Sequence, residues 1–253
     1  AVPGDETVID VEVALFTRVE VSAFGIAPLT SMFLFDASNR GRFDDFRSAV
    51  HDSDGLQVIN GRGERLWRPL ANPRTLQVSA FLDDIPKGFG LVQRKRNFAD
   101  YEDAKGQYER RPSLWVEPKD EWGRGHVELV EIPSDRDIHD NIVAYWQSST
   151  PLAAGVRADF AYRLRFTNEP LDASLARVVA TRTGRASSQS DALRSFVVDF
   201  KVEGPPPANL TAEVWNSAGM LRNPRGEIVE QNGVYRVQFE LDPQREDIIE
   251  LRV

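Results

Sequence analysis

The sequence of 253 residues contains no cysteine, and this absence excludes several kinds of chemistry at once. Disulfide bonds, thiolate nucleophiles and cysteine-ligated metal sites all require that side chain. The absence does not define the cellular compartment. Long apolar runs are absent too, since no stretch approaches the roughly 18 residues that a membrane-spanning helix needs. The mean hydropathy of -0.39 agrees with this.

An excess of positive charge is also lacking. The chain has 39 acidic residues against 31 Lys and Arg, which gives a formal net charge of -8 at pH 7. Such a surface repels phosphate backbones, so we expect no nucleic-acid partner. The basic run at residues 94–96 (Arg-Lys-Arg) is more typical of a solvated face than of a site. Hydrophobic residues make up 41% of the chain, which is enough for a buried core.

The common catalytic fingerprints are missing as well. The sequence has no phosphate-binding P-loop, no Gly-x-Gly-x-x-Gly motif and no Gly-x-Ser-x-Gly nucleophile elbow. Its three histidines, His51, His126 and His139, are far apart and do not have metal-ligand spacing. We therefore expect neither a cofactor nor a metal site.

What the sequence does contain is the pattern of an all-β protein. Short segments rich in Val, Phe, Tyr and Leu alternate with polar residues and are separated by Gly, Pro, Asn or Asp. Two short helices are expected as well, at residues 41–48 and 100–108. Strands of a first series are predicted at residues 8–21, 31–35, 76–82, 89–93, 113–117, 126–132, 141–146 and 159–166.

A second series of strands follows a linker at residues 167–170 (Thr-Asn-Glu-Pro). The segment 183–193 is predicted to be a loop, and the pair Asn232-Gly233 favours a tight hairpin. The spacing of the strands indicates a small immunoglobulin-like sandwich. These strands are predicted at residues 175–182, 195–203, 211–217, 227–230 and 234–241.

Carboxylates, arginines and tryptophans recur together between residues 51 and 146, a combination typical of a carbohydrate site. Asp52 and Asp54 precede a glycine, and turn chemistry is the more common reason for such a cluster. The functional alternative is a general base. Asp140 starts a predicted strand, where half-burial would raise the pKa of a carboxylic acid and suit it to general acid catalysis. A simple turn residue at the strand edge is the alternative.

The aromatic residues also allow two interpretations. Four tryptophans could all belong to a sandwich core: Trp67, Trp115, Trp122 and Trp146. Trp67 and Trp115 have charged neighbours in sequence, including Glu117, and this is less typical of a core. Tyr101 and Tyr108 lie in a polar stretch and suit a surface on which sugar rings stack.

Motifs between residues 32 and 183 resemble, in the same order, those of the periplasmic glucan biosynthesis proteins G and D. Residues 184–253 match more loosely. The matching segments are 51–56 (His-Asp-Ser-Asp-Gly-Leu), 67–70 (Trp-Arg-Pro-Leu), 72–73, 86–91 (Pro-Lys-Gly-Phe-Gly-Leu), 97–98, 111–118 (Arg-Pro-Ser-Leu-Trp-Val-Glu-Pro), 122–123, 131–133, 140–141, 176–178 and 180–184.

This resemblance implies a large β-sandwich over residues 1–170, of which the chain holds only the C-terminal part, and an immunoglobulin-like domain over residues 171–253. Family members are about twice as long, and the chain resembles their second half. We therefore expect the N-terminal half of the same protein as a partner. Residues 1–5 show no signal peptide and residues 247–253 end in mid-strand, so a chain cut at both ends is expected.

The resemblance also implies a periplasmic protein that acts on β-1,2-linked glucose polymers in osmoregulated glucan synthesis. The implied activity is that of an inverting endo-glucanase or a transglycosylase, with Asp140 as general acid and Asp52 as general base. Tyr108 and Arg111 would bind the substrate. Further candidate substrate-binding residues are Asp54, Trp67, Tyr101, Trp115 and Glu117. The alternative is a non-catalytic glucan-binding scaffold that assists a membrane glucan synthase.

Overall fold

A computed structural model describes residues 6–37, 39–168, 176–186, 192–201, 204 and 209–253. Among these residues there is no α-helix, and the regular structure is strand apart from two short 3-10 turns, Phe98–Asp100 and Tyr108–Arg110. The prediction of an all-β protein is therefore confirmed. None of the described residues form a helix long and apolar enough to cross a membrane. Half of the predicted linker (169–170) and residues 187–191 of the loop predicted at 183–193 lie outside the described residues. The loop prediction is wrong for residues 183–185, which belong to the strand Arg177–Arg185.

The two predicted helices are wrong, because aspartate side chains bind the backbone donors that a helix would use. In the first segment, Asp45 Oδ1 accepts a hydrogen bond from the Arg47 backbone N–H at 2.9 Å. In the second, Asp103 Oδ1 accepts bonds from the N–H groups two and three residues further on, at 2.9 and 2.7 Å. Local bonds of this kind compete with helical hydrogen bonds.

The chain divides into two compact units, Ala1–Glu169 and Pro170–Val253. The strands described in the first unit are β1 (Thr7–Phe16), β2 (Gly25–Ser31), β3 (Phe33–Phe35), β4 (Val50–His51), β5 (Gly55–Ile59), β6 (Arg65–Pro69), β7 (Gln77–Asp83), β8 (Gly88–Val92), β9 (Ser113–Pro118), β10 (Gly125–Glu131), β11 (Ile142–Ser148) and β12 (Arg157–Thr167).

Two antiparallel sheets make up most of this unit. One has six strands in the order β1-β12-β9-β8-β5-β6, and the other has four in the order β2-β11-β10-β7. In β10 and β11 every second residue is buried, as expected for strands with one face on a core. Phe89 and Val116 of the larger sheet share a single apolar cluster with Leu129 and Trp146 of the smaller one. The first unit is therefore a β-sandwich.

The strands described in the second unit are β13 (Arg177–Arg185), β14 (Arg194–Lys201), β15 (Trp215–Asn216), β16 (Met220–Val229), β17 (Val234–Asp242) and β18 (Leu251–Arg252). They form a four-stranded antiparallel sheet, in the order β13-β14-β17-β16, and a two-stranded ladder of β15 and β18. Phe196 stacks on Phe239 with ring centroids 5.1 Å apart. The predicted Asn-Gly hairpin joins β16 to β17, and Gly233 there has a φ of 63°.

Candidate functional site

The short strand β3 positions the first candidate catalytic residue, Asp52. It pairs with β4 so that Phe33 lies opposite His51, and the Asp52 N–H donates to the Met32 carbonyl at 2.8 Å. The His51 ring is fully buried and stacks on Phe33, with centroids 5.3 Å apart. Burial lowers the pKa of His51 to about 4, so the ring is neutral near pH 7. Asp52 therefore directly follows a residue whose ring is buried and uncharged.

The same strand also holds the segment that contains Asp140. The next residue, Asn141, is buried and binds both backbone groups of Phe33. Its Oδ1 accepts from the Phe33 N–H at 2.9 Å, and its Nδ2 donates to the Phe33 carbonyl at 3.0 Å. A second bond from Nδ2 reaches the Ile132 carbonyl at 3.0 Å. Asp52 and the residue after Asp140 are thus bonded to the adjacent residues Met32 and Phe33.

The pKa of the Asp52 carboxylate is changed by its surroundings. Burial raises its pKa above the ordinary value, the positive charge of Arg111 lowers it, and the negative charge of Asp140 raises it again. Arg111 Nε lies 3.5 Å from Asp52 Oδ1. That oxygen is buried, yet it accepts no hydrogen bond from any described residue. The influence of Asp140 on Asp52 indicates that the two carboxylates share one electrostatic environment.

Asp140 differs from the expectation of half-burial, because it is exposed in the chain as described. The expectation is wrong because β11 begins two residues later, at Ile142, so Asp140 still belongs to the preceding loop. Among the described residues, none forms an ion pair with Asp140. Its carboxylate is therefore accessible to a ligand.

Two further residues with predicted roles are Arg111, which lies beside Asp52, and Tyr108, which is 5% exposed and lies beside Arg111. Arg111 contacts Asp52, and its guanidinium carbon lies 5.7 Å from the centre of the Tyr108 ring. The Tyr108 hydroxyl donates to Asp137 Oδ2 at 3.3 Å, and burial raises the pKa of this phenol to about 12. The phenol is therefore a neutral hydrogen-bonding group at physiological pH.

The polar residues that support this region had no clear signal in the sequence. Gln93 is buried, and its Nε2 donates to the carbonyls of His51 at 3.0 Å and Tyr108 at 3.2 Å. Arg96 donates to the carbonyl of Arg111 and, at 2.9 Å, to Ser113 Oγ. The interpretation of residues 94–96 as a solvated face is therefore wrong: Arg94 and Lys95 are part-buried in ion pairs, and Arg96 fixes the segment that contains Tyr108 and Arg111.

Tyr101 and Asp54 are buried beneath the site. Tyr101 is 0% exposed and its ring packs on His51 and Tyr108, with centroids 5.2 and 5.9 Å apart. A ring without an exposed face cannot stack on a sugar. Asp54 is 3% exposed and accepts bonds from the N–H and Nε of Arg94 at 3.2 and 3.3 Å. The structure thus gives both residues a supporting position and no access to a ligand.

The two tryptophans of the predicted sugar site lie elsewhere, on the face of the six-stranded sheet opposite the core. Trp67 is covered by the Arg94 guanidinium, which lies 3.8 Å from a ring centre. Trp115 is 3% exposed and lies against Gly90, where an added Cβ would come within 2.7 Å of the ring. Trp115 therefore offers no open ring face, and Arg94 occupies one face of Trp67.

Glu117 lies on that same face, four residues beyond the start of β9. Its Oε1 accepts a bond from Arg165 Nε at 2.8 Å. Four residues of strand extend about 13 Å, so Glu117 is well separated from the end of the strand that is nearest to Arg111. The structure therefore brings together Asp52, Asp140, Tyr108 and Arg111, and it does not bring Glu117 to them.

Comparison with known proteins identifies the family. The model of the family described as "periplasmic glucan biosynthesis protein, MdoG" matches residues 1–253. The chain belongs to this family. It is 53% identical over 253 residues to glucans biosynthesis protein G 1 of Shewanella oneidensis, a match that covers 99% of this chain and 46% of the relative. It is 50% identical over 256 residues to glucans biosynthesis protein G of Shewanella baltica, covering 99% and 47%.

These matches confirm the predicted family, and the family description agrees with the predicted periplasmic location. They also show how much of a complete family member the chain represents. The chain spans about half the length of the curated relatives it matches. The activity, substrate and partners of a complete periplasmic glucan biosynthesis protein therefore come to this chain only as proposals.

Proposed function

We propose that this chain carries the catalytic residues of a periplasmic enzyme that cleaves or transfers β-1,2-linked glucan with inversion at the anomeric carbon. Asp140 is the general acid and Asp52 the general base, while Tyr108 and Arg111 bind sugar hydroxyls. An additional N-terminal segment, expected from the family resemblance, completes the cleft. The substrate linkage and the roles of the two aspartates follow from the family resemblance, and the geometry supports the choice of residues.

The observation that carries the proposal is the joint attachment of Asp52 and Asp140 to β3, with electrostatic coupling between the two carboxylates. Inverting glycosidases need two carboxyl groups on opposite sides of the scissile bond, about 6.5–9.5 Å apart, so that a water fits between them and the sugar. A strand that anchors both residues keeps such a separation constant. This shared anchoring supports the assignment of Asp52 and Asp140 as the catalytic pair.

The chemistry follows from the environment of each group. Protonated Asp140 gives its proton to the glycosidic oxygen as the bond between that oxygen and the anomeric carbon breaks. Water attacks the opposite face of the carbon, and Asp52 takes the proton that the water loses, directly or through a chain of hydroxyls. The raised pKa of Asp52 makes it a stronger base than an exposed aspartate, and the positive charge of Arg111 opposes part of that rise. A sugar hydroxyl in place of water gives transglycosylation.

One observation favours the second candidate, a glucan-binding scaffold that assists a membrane synthase. Asp140 is exposed in this chain, and no described residue shields its carboxylate from water. The enzymatic proposal requires the bound glucan and the N-terminal segment to exclude water from Asp140. A scaffold needs no such change.

Product analysis separates the two candidates. The complete protein and its Asp140→Asn variant are incubated with linear β-1,2-glucan, and products are identified by mass spectrometry and by the anomeric NMR signals of fresh reducing ends. Asp84→Asn is the matched control, because this aspartate has a 77% exposed side chain and lies in the loop after β7.

The enzymatic proposal predicts shorter glucans with initially α-configured ends from the parent and from Asp84→Asn, and none from Asp140→Asn. Cyclic or branched products lost in the same variant would identify a transglycosylase. If parent and Asp140→Asn both bind the polymer and leave it unchanged, the enzymatic proposal fails and the scaffold is favoured.

A further inference from the structure

Arg47 is the centre of an ionic cluster that the proposed reaction does not use directly. Its Nε and Nη2 donate to the two oxygens of Asp45, at 2.9 and 2.7 Å. Its Nη1 donates to Asp103 Oδ2 at 3.1 Å and to Asp137 Oδ2 at 2.9 Å. We call Arg47, Asp45, Asp103 and Asp137 the Arg47 clamp.

The three carboxylates of the clamp come from three different loops. Asp45 precedes β4, Asp103 lies between β8 and β9, and Asp137 lies between β10 and β11. These are the loops that contain or lead to Asp52, to Tyr108 and Arg111, and to Asp140 respectively. A single guanidinium therefore connects every segment of the candidate site.

The contact to Asp137 is shared with the site itself. Asp137 Oδ2 accepts a bond from the Tyr108 hydroxyl at 3.3 Å in addition to the bond from Arg47. Asp137 lies three residues before Asp140. A displacement of Asp137 would thus reach both the proposed general acid and a proposed substrate-binding residue.

The positive charge of Arg47 is needed to keep the three carboxylates of the clamp close together. Hydrogen bonds to Arg47 lower the pKa of Asp45, while Gly106 N–H and then Arg47 lower that of Asp103. Both groups are therefore ionised. Asp103 and Asp137 contact the same nitrogen, so without the guanidinium their oxygens would face each other at short range and repel. The side chain of Arg47 is only 15% exposed, which limits the ability of water to replace it.

We propose that Arg47 is a positioning residue that fixes the three site loops relative to one another. Asp52, Asp140 and the Tyr108–Arg111 segment can then act on one glucan chain. This proposal rests on the proposed function for its catalytic consequence only. The physical claim, that one side chain couples three loops, concerns the protein without substrate.

Hydrogen–deuterium exchange of the complete protein without ligand tests the physical claim. Arg47→Met is expected to raise backbone exchange about tenfold in all three loops, residues 36–49, 94–112 and 132–141, since the opening free energy of each falls together. Arg47→Lys keeps the charge but loses the planar fork, so an intermediate effect is expected. If Arg47→Met fails to fold, Arg47→Lys decides the result.

Arg163→Met is the matched control. Arg163 also binds one carboxylate with two nitrogens, at 2.8 and 3.1 Å from Asp10, but it lies on the outer face of β12. This variant should leave the three loops unchanged. Faster exchange confined to residues 36–49 in the Arg47 variants, or no change at all, would overturn the coupling.

Turnover of β-1,2-glucan tests the positioning role separately. A displacement of about 1 Å in a catalytic group lowers the rate by about 100-fold, so kcat of Arg47→Met should fall by that order, with partial rescue in Arg47→Lys. Looser loops with unchanged kcat would overturn the positioning role. A parent without turnover would contradict the proposed function, and the exchange experiment would still decide whether Arg47 couples the loops.

Discussion

The loops around Asp52 and the outer face of the six-stranded sheet contain the same kinds of side chain, and they use them in opposite ways. On the sheet face, Trp115 is pressed against glycine, and Glu117 is paired with Arg165. In the loops, Asp140 is exposed and the buried Oδ1 of Asp52 accepts no hydrogen bond from a described residue. The two regions have similar composition. They differ in the exposure of their side chains and in whether the carboxylate oxygens already accept hydrogen bonds.

The largest difference between the two regions should appear on mutation of one carboxylate in each. Asp52→Asn is expected to lower kcat/KM on β-1,2-glucan by about 10²- to 10⁴-fold, the usual contribution of a general base, with the folded structure retained. Glu117→Gln should leave turnover within about threefold and change stability by less than about 1 kcal/mol, as for other surface ion pairs. Steady-state kinetics and thermal unfolding measure both. Equal losses of turnover in Asp52→Asn and Glu117→Gln would show that the two regions do not differ in function.

Much of the fold was accessible from the sequence because the strands have strong alternating patterns. β10 and β11 were predicted within two residues of their ends, and they bury alternate residues. β5 and β6 were not predicted, since residues 51–56 and 67–70 were considered only for their match to the family motifs. Nothing local in the sequence shows that Arg94 covers Trp67, or that Asp103 and Asp137 meet at Arg47, because these contacts join residues distant along the chain.

The candidate site was predictable only in part, and for a different reason. Asp52, Asp140, Tyr108 and Arg111 were proposed from the family resemblance, and the structure places them on β3, β4 and the loops near them. Tyr101 was misjudged because a tyrosine in a polar segment gives no sign of complete burial. Burial is a property of the packed chain, and a single sequence carries it only when its pattern is periodic.

A second mutation of moderate effect tests whether the sheet face is a structural region. Gly90→Ala would place a Cβ 2.4 Å from the Leu114 carbonyl oxygen and 2.7 Å from the Trp115 ring. Overpacking of this kind destabilises a fold by about 1–3 kcal/mol, so the denaturant midpoint should fall while kcat per folded molecule stays unchanged. Gly41→Ala, where the added Cβ meets no atom within 4 Å, is the control. Lost turnover without lost stability would instead indicate that this face takes part in catalysis.

The smallest expected effect concerns the pH dependence that Arg111 gives to Asp52. Arg111 lowers the pKa of Asp52, against the raising effects of burial and of Asp140. Its removal in Arg111→Met should therefore raise that pKa. Because a general base must be ionised, the acidic limb of kcat/KM should move to higher pH. The contact is 3.5 Å long and Arg111 is 48% exposed, so a contribution below about 1 kcal/mol is expected, equivalent to a shift of about half a pH unit.

Arg110→Met is the control for this last measurement, because Arg110 is adjacent in sequence, is 73% exposed and lies 3.9 Å from Glu109. It removes the same charge from the same segment without removing the contact to Asp52. A limb that moves only in Arg111→Met would locate the titrating base at Asp52 and separate this residue from the paired carboxylates of the sheet face. A limb that moves equally in both variants would reflect net charge alone, and one that moves to lower pH would contradict the assignment of Asp52 as the base.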